Sequence, residues 1–187
     1  MEFYKVIKER ISIRKYQKKN IDDSQIDYIL ECGHAAPTAG NLQPWEFIII
    51  KDIAMKKKII NTTFVGNQKN SLKHQQWLIG APVFIVVCAD KDRISSRYGE
   101  EGEESVKKLA YLDCSACIEN MLLAVVDLKL GSCYISGFKE DKLAKALKLP
   151  PHLEAVAFIP IGYIKGNIIK CSKRPLKEVI HREFYKK

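Results

Sequence analysis

The chain has 187 residues, 31 Lys+Arg against 22 Asp+Glu, and a formal charge of +9. With 47% hydrophobic residues it has enough apolar material for a single domain over 1–187, and it is neither a disordered tail nor a low-complexity segment. The longest nearly apolar run, 77–89, contains Gly80 and Pro82 and falls short of the roughly 20 residues of a membrane span.

The charge is uneven. Residues 1–20 carry seven Lys/Arg and two Glu, and residues 165–187 carry eight Lys/Arg and two Glu. The body between them is slightly acidic, so the two ends supply the whole excess. No uninterrupted apolar h-region opens the chain, which argues against a secretory signal. Without one, the six cysteines do not suggest a disulfide framework. A cytoplasmic protein is the expectation.

In chain order, 2–10 predicts a short helix with Phe3, Val6 and Ile7 on one face. Asp22 is a good N-cap for the next helix, with Gln25 three residues on and Ile21 and Ile26 as a hydrophobic staple; Gly33 and Pro37 end it. A β-branched strand follows at 46–51, then helical spacing over 52–64. Residues 65–76 are polar without a clean period. The strand 82–90 is apolar on both faces and therefore central. Residues 91–103, polar and Gly-containing, read as an exposed loop or lid.

From 104 to 128 the spacing predicts a long helix through Val106, Leu109, Ala110, Cys117, Met121, Ala124 and Leu128. Asp113 and Asn120 are polar members of that face. A helix apolar over most of its circumference must be covered on most sides, inside the fold or in a dimer interface. A strand at 132–136, an amphipathic helix at 139–149, a strand at 155–164 and a basic tail with weak helical spacing at 176–185 complete the chain. Helices and strands mix without strict alternation, so the fold class is α+β.

Motif searches exclude several chemistries. There is no G-x-G-x-x-G, no Walker P-loop, no H-E-x-x-H and no G-x-S-x-G, and the four histidines are scattered. Cys114-Ser-Ala-Cys117 is a lone C-x-x-C within a long helix, which reads as packing.

Two segments stand out. In Arg10-Ile-Ser-Ile-Arg14, alternation puts Arg10, Ser12 and Arg14 on one side and Ile11 and Ile13 on the other. Two guanidiniums and a hydroxyl on one face suit a phosphate; a solvated basic edge over a buried Ile pair gives the same pattern. The stretch 36–45 (APTAGNLQPW) is a polar, proline-stiffened loop between a helix and a strand, offering Thr38, Asn41 and Gln43 as hydrogen-bonding groups. It is either a binding loop or a plain connection.

Taken in order, RISIRKY at 10–16, APTAGNLQPWEF at 36–47, GAPVFIVVCAD at 80–90, YLDCSACIENMLLAVVDLKLGSCYISGF at 111–138, LPPHLEAVAFIPIGY at 149–163 and KRPLKEVIH at 173–181 resemble the FMN-dependent nitroreductase family over nearly the whole chain. The resemblance implies a mostly antiparallel sheet flanked by helices, in an intertwined homodimer with FMN at the interface.

It also implies roles. Arg10, Ser12 and Arg14 resemble the group that holds the FMN phosphate and ribityl chain, with Lys173 and Arg174 as the C-terminal basic contribution. Pro37, Thr38 and Asn41 resemble the loop that reaches FMN from the partner subunit. Asn67 or Gln68 is placed at the polar edge of the isoalloxazine, and Ser136 and Gly137 at the turn whose backbone approaches flavin N5.

The implied activity is ping-pong hydride transfer from NADH or NADPH through the flavin to nitroaromatics, quinones or similar acceptors, with no side-chain nucleophile and no metal. A flavin-binding or flavin-modifying protein on the same scaffold is the alternative, and charge alone suggests a nucleic-acid-binding module. The chain is short for the family at 91–103, where many members carry longer substrate-covering elements. Neither nucleic acid nor membrane is expected as a partner.

Overall fold

Four antiparallel strands form the centre of the computed structural model, which describes residues 2–65, 74–168 and 170–185. The strands are β1 (Trp45–Ile50), β2 (Val83–Asp90), β3 (Gly131–Ser132) and β4 (Leu153–Gly162), in the order β1-β2-β4-β3. Trp45 lies opposite Ala89, and Val83 opposite Ile161, with a bulge between Val87 and Cys88. The β2 strand is buried from Val83 to Ala89, as its two-faced apolar sequence predicts for a central strand.

Alternation along β2 and β4 sorts the core into two layers. Val83, Ile85, Val87, Ala157, Ile159 and Ile161 face α2 (Asp23–His34) and α5 (Glu103–Asp127). Phe84, Val86, Cys88 and Phe158 face α3 (Ile53–Ile60), α6 (Glu140–Leu147) and the segment carrying Ile13 and Tyr16. The α5 helix is long and apolar enough to cross a bilayer by length and composition, but it packs against α2, α4 (Lys91–Tyr98) and the sheet.

The start of α2 follows the expected capping pattern. The Gln25 side-chain oxygen accepts the Asp22 N–H at 3.1 Å, and Ile21 and Ile26 are both buried. Elsewhere the structure departs from the sequence reading. The helical spacing of 52–64 yields only Ile53–Ile60. The Thr62 and Thr63 hydroxyls donate back to the Ile59 and Ile60 carbonyls at 2.7 Å, closing the helix, and Phe64 N–H then donates to Gly137 O.

The segment read as a loop, 91–103, is largely the helix α4. The Asp90 carboxylate caps it by accepting from Asp92 and Arg93 N–H, and a single buried residue, Ile94, anchors it. One apolar anchor in eight residues leaves no readable period.

The strand expected at 132–136 is shorter. Only Gly131–Ser132 pairs regularly with β4, and Ile135 returns as an isolated bridge to Phe158. In the tail the helical spacing gives one turn, Leu176–Glu178. Helix formation needs an apolar face to bury, and Leu176 is 71% exposed in this chain. On α1 (Phe3–Glu9) only Val6 is buried; Phe3, Tyr4 and Ile7 face outward.

Candidate functional site

The segment 10–14 lies along β3. Ser12 bridges Ser132 in parallel register, and Ile13 N–H donates to Ser132 O at 2.8 Å. The expected alternation holds in part: Ile13 is buried while Ser12 and Arg14 are exposed, with Arg10 and Ile11 half-buried. Tyr16 fixes the end of the segment, its hydroxyl donating to Ile13 O at 2.7 Å and Pro160 O at 3.2 Å.

The buried thiol of Cys133 lies just beyond β3, next to Ser132, which Ser12 bridges. Burial pushes that thiol up, and the opposing influences on it are the Arg14 charge, a hydrogen bond with Ser12 and the Arg10 charge. Arg10 also makes a long contact, 3.7 Å, to the exposed carboxylate of Glu119 on α5. Two guanidiniums and a hydroxyl within one five-residue segment form a donor set of the right chemistry for a phosphate dianion. An exposed ion pair of that length is weak enough for a phosphate to displace.

The loop 36–44 forms the second cluster. It runs through left-handed backbone at Gly40 (φ 55°), Asn41 (φ 56°) and Gln43 (φ 46°). Within it, Thr38 Oγ1 accepts the Gln43 N–H at 3.1 Å, and the Gln43 amide donates to Asn41 O. Its ends are tied as well. Trp45 Nε1 donates to His34 Nδ1 at 2.9 Å, and Asp90 N–H donates to Pro44 O at 2.8 Å.

Neighbouring helices hold the middle of the loop. Ala39 N–H donates to both carboxylate oxygens of Asp113 at 3.1 Å. Arg93 Nε donates to Leu42 O at 3.0 Å and Arg97 Nη1 to Gly40 O at 3.4 Å. Any side chain at Gly40 would strike Arg97, since an added Cβ would sit 2.6 Å from Nη1. Pro37, Thr38 and Asn41 are thus gathered on one structured loop.

Ser136 and Gly137 lie beyond β3, where Gly137 O accepts the Phe64 N–H at 2.8 Å and Thr63 bridges Phe138. Asn67 and Gln68 fall outside the described residues. Lys173 and Arg174 are exposed, and among the described residues neither has a hydrogen bond or ion pair that joins it to Arg10, Ser12 or Arg14. The tail meets the N-terminal region through Lys170, whose Nζ donates to Lys8 O at 3.4 Å.

The C-x-x-C cysteines are buried in α5; burial pushes Cys117 up to about 12 and Cys114 further in the same direction. Thiols so disfavoured as thiolates are inert packing groups. Among the described residues no cluster of His, Cys, Asp or Glu could hold a metal ion.

Sequence reasoning missed Cys133, Asp113, Arg93 and Arg97. Asp113 did carry a signal, a carboxylate on the apolar face of α5. The two arginines sat in a stretch read as loop.

Comparison with known proteins agrees with the fold and the family resemblance. The Nitroreductase family model matches residues 7–163. A protein from Archaeoglobus fulgidus, provisionally named an NADH dehydrogenase/NAD(P)H nitroreductase, is 34% identical over 188 residues, covering 97% of this chain and 98% of its own. A Bacillus subtilis FMN reductase [NAD(P)H] is 27% identical, over 98% of this chain and 74% of its own. The crystal structure of a Parabacteroides distasonis protein, provisionally named an NADH dehydrogenase/NAD(P)H nitroreductase, superposes with a TM-score of 0.80 at 26% identity, covering 98% of this chain and 99% of the other. The chain belongs to the Nitroreductase family.

Proposed function

We propose that this protein works as a homodimeric FMN enzyme that oxidises NADH or NADPH and reduces an electron-poor organic acceptor, such as a nitroaromatic or a quinone. Family membership, with relatives named NAD(P)H nitroreductase and FMN reductase, makes it an NAD(P)H-dependent oxidoreductase with FMN as cofactor. The observation that carries the reading is that Arg10, Ser12 and Arg14 sit together on one short segment pinned along β3 by the Ser12–Ser132 bridge and the Ile13–Ser132 hydrogen bond.

In this scheme Arg10 and Arg14 hold the FMN phosphate through their forked donors, and Ser12 adds a hydroxyl. Lys173 and Arg174 bring further positive charge from the tail. Pro37, Thr38 and Asn41 contact the flavin of the partner subunit, and Asn67 or Gln68 serves its polar edge. The backbone at Ser136 and Gly137 serves the N5 side. When bound, FMN supplies an atom, N5, that accepts and then donates hydride, so nicotinamide and acceptor take the same place in turn, a ping-pong cycle. The scheme assigns no side chain as catalytic acid or base, and water or the acceptor can supply the proton.

A dimer is supported by large apolar side chains that are exposed among the described residues. Phe3 is 70% exposed, and Leu112 on α5, Leu176, Val179 and Ile180 are also exposed. A second copy packed against these side chains would cover them.

Anaerobic spectroscopy tests the function. Protein reconstituted with FMN is expected to be yellow, to bleach with NADH or NADPH, and to recover its colour when a quinone or nitroaromatic is added. A folded dimer that holds no FMN contradicts the reading. So does bound FMN that neither nicotinamide reduces, which leaves only a flavin-binding role.

A further inference from the structure

The loop 36–44 is held by its own hydrogen bonds and, beyond them, by contacts from neighbouring helices. Two of its non-glycine residues, Asn41 and Gln43, are left-handed, a backbone state that persists only where surrounding structure over-determines it. The clamps come from two helices. Arg93 and Arg97 of α4 take carbonyls on one side. On the other side α5 presents Asp113 to the Ala39 N–H.

Asp113 is the unusual member of this set. Its side chain is 8% exposed and lies on the helix face that carries the buried Ala110, Cys114 and Cys117. Burial raises its proton affinity, opposed only in part by the Ala39 N–H. A carboxylate in such a place is unfavourable for stability, and an apolar residue of similar size would serve the core better. What the carboxylate adds is a bidentate hold on one backbone N–H, in the middle of the loop that bears Thr38 and Asn41.

We propose that Asp113 is a positioning residue for the cofactor: through the Ala39 N–H it keeps the loop 36–44 in the shape that receives FMN. The inference rests on the reading of this loop as a flavin-contacting element. It assigns Asp113 no contact with the flavin and no part in the chemistry. Arg93 and Arg97 hold the opposite side of the same loop.

The test compares Asp113→Leu, which removes the acceptor at similar size, with Asp113→Asn, which keeps one acceptor oxygen. Three quantities are measured on the full-length protein: FMN affinity by fluorescence quenching, hydrogen exchange at the Ala39 amide, and the melting temperature of the FMN-free form. Asp113→Leu is expected to weaken FMN binding by about tenfold or more, because a pre-ordered loop is lost. It should also speed Ala39 exchange without lowering the melting temperature. Asp113→Asn should stay within about threefold of the parent affinity, since the N–H keeps a partner. Asp113→Ala replaces the leucine variant if that one does not fold.

Parent-like FMN affinity in Asp113→Leu overturns the proposal, as does an equal loss in Asp113→Asn. If the parent protein takes up no FMN, the cofactor reading fails by itself. The hold on the loop is then judged by Ala39 exchange, and unchanged exchange in Asp113→Leu overturns it.

Discussion

Replacing Gly131 with Ala tests the link between the sheet and the phosphate segment. A Cβ at this position would lie 2.8 Å from Ile13 Cγ1, 2.8 Å from Ile164 Cγ1 and 2.9 Å from Ile13 Cβ. Restoring ordinary carbon contacts of ~3.5 Å requires each neighbour to withdraw by about 0.7 Å. A rotamer change cannot relieve the contact with Ile13, because one of the struck atoms is its own Cβ and its branched side chain is stiff. The backbone of 12–14 must therefore move, against the Ile13–Ser132 hydrogen bond that sets its register.

Overpacking of this kind costs about 1–3 kcal/mol. For a domain of this size each kcal/mol lowers Tm by roughly 2–4 °C. If FMN requires the original place of Ser12 and Arg14, recovering it against ~1–2 kcal/mol of strain weakens binding roughly 5- to 30-fold. Thermal melts and flavin titration at fixed protein concentration give both numbers. Gly80→Ala is the control, with nothing within 4 Å of its added Cβ. Parent-like Tm and FMN affinity in Gly131→Ala would refute the packing argument. A lowered Tm with parent-like FMN affinity would refute the link to the phosphate segment.

Two further predictions concern groups away from that segment. Glu154 accepts from Lys91 Nζ at 2.8 Å, Lys107 Nζ at 2.9 Å and the Tyr111 hydroxyl at 3.2 Å. Burial pushes its carboxyl up, but the two lysines outweigh this and hold it below its ordinary value of 4.5. The folded state therefore binds fewer protons there than the unfolded chain, so the stabilisation is present above that value and is lost as pH falls through the folded one. Glu154→Gln should cost about 1 kcal/mol at neutral pH, with the difference shrinking below pH 4.5; urea titrations at both pH values check this. In native protein a thiol reagent should label the exposed Cys171 and spare the buried Cys88, Cys114 and Cys117 until denaturant is added; a Cys114–Cys117 disulfide formed under mild oxidation would contradict the packing role.

What the sequence made legible follows the strength of local signals. The central strand, the capped start of α2 and the long α5 each carry several residues that agree on one period, and all three appear as expected. The α4 helix was hidden because one buried residue, Ile94, anchors it while an aspartate caps it from outside. Past the end of α3, where two threonine hydroxyls close the helix, Phe64 pairs with Gly137, more than 70 residues away, which no local window contains.

The candidate site shows the same division. The donor pattern of Arg10, Ser12 and Arg14 was readable because its chemistry lies in five consecutive residues. Asp113 was visible as an odd polar residue on an apolar face, but its partner, the Ala39 N–H, is a backbone group with no signature in sequence. The nearness of Cys133 to this segment comes from the fold, where Ser12 bridges Ser132. In the basic tail Leu176, Val179 and Ile180 are exposed, so its helical spacing had no buried face to report.

The account stands most directly on the claim that the segment 10–14 holds a phosphate, and a comparison of FMN with riboflavin, which lacks one, measures that claim alone. The parent protein should prefer FMN by about 100-fold, given two guanidiniums on a dianion. In the Arg10→Ala/Arg14→Ala variant the preference should collapse to within about threefold, with riboflavin affinity unchanged. A variant that keeps the preference for FMN, or that loses both flavins equally, would contradict the assignment.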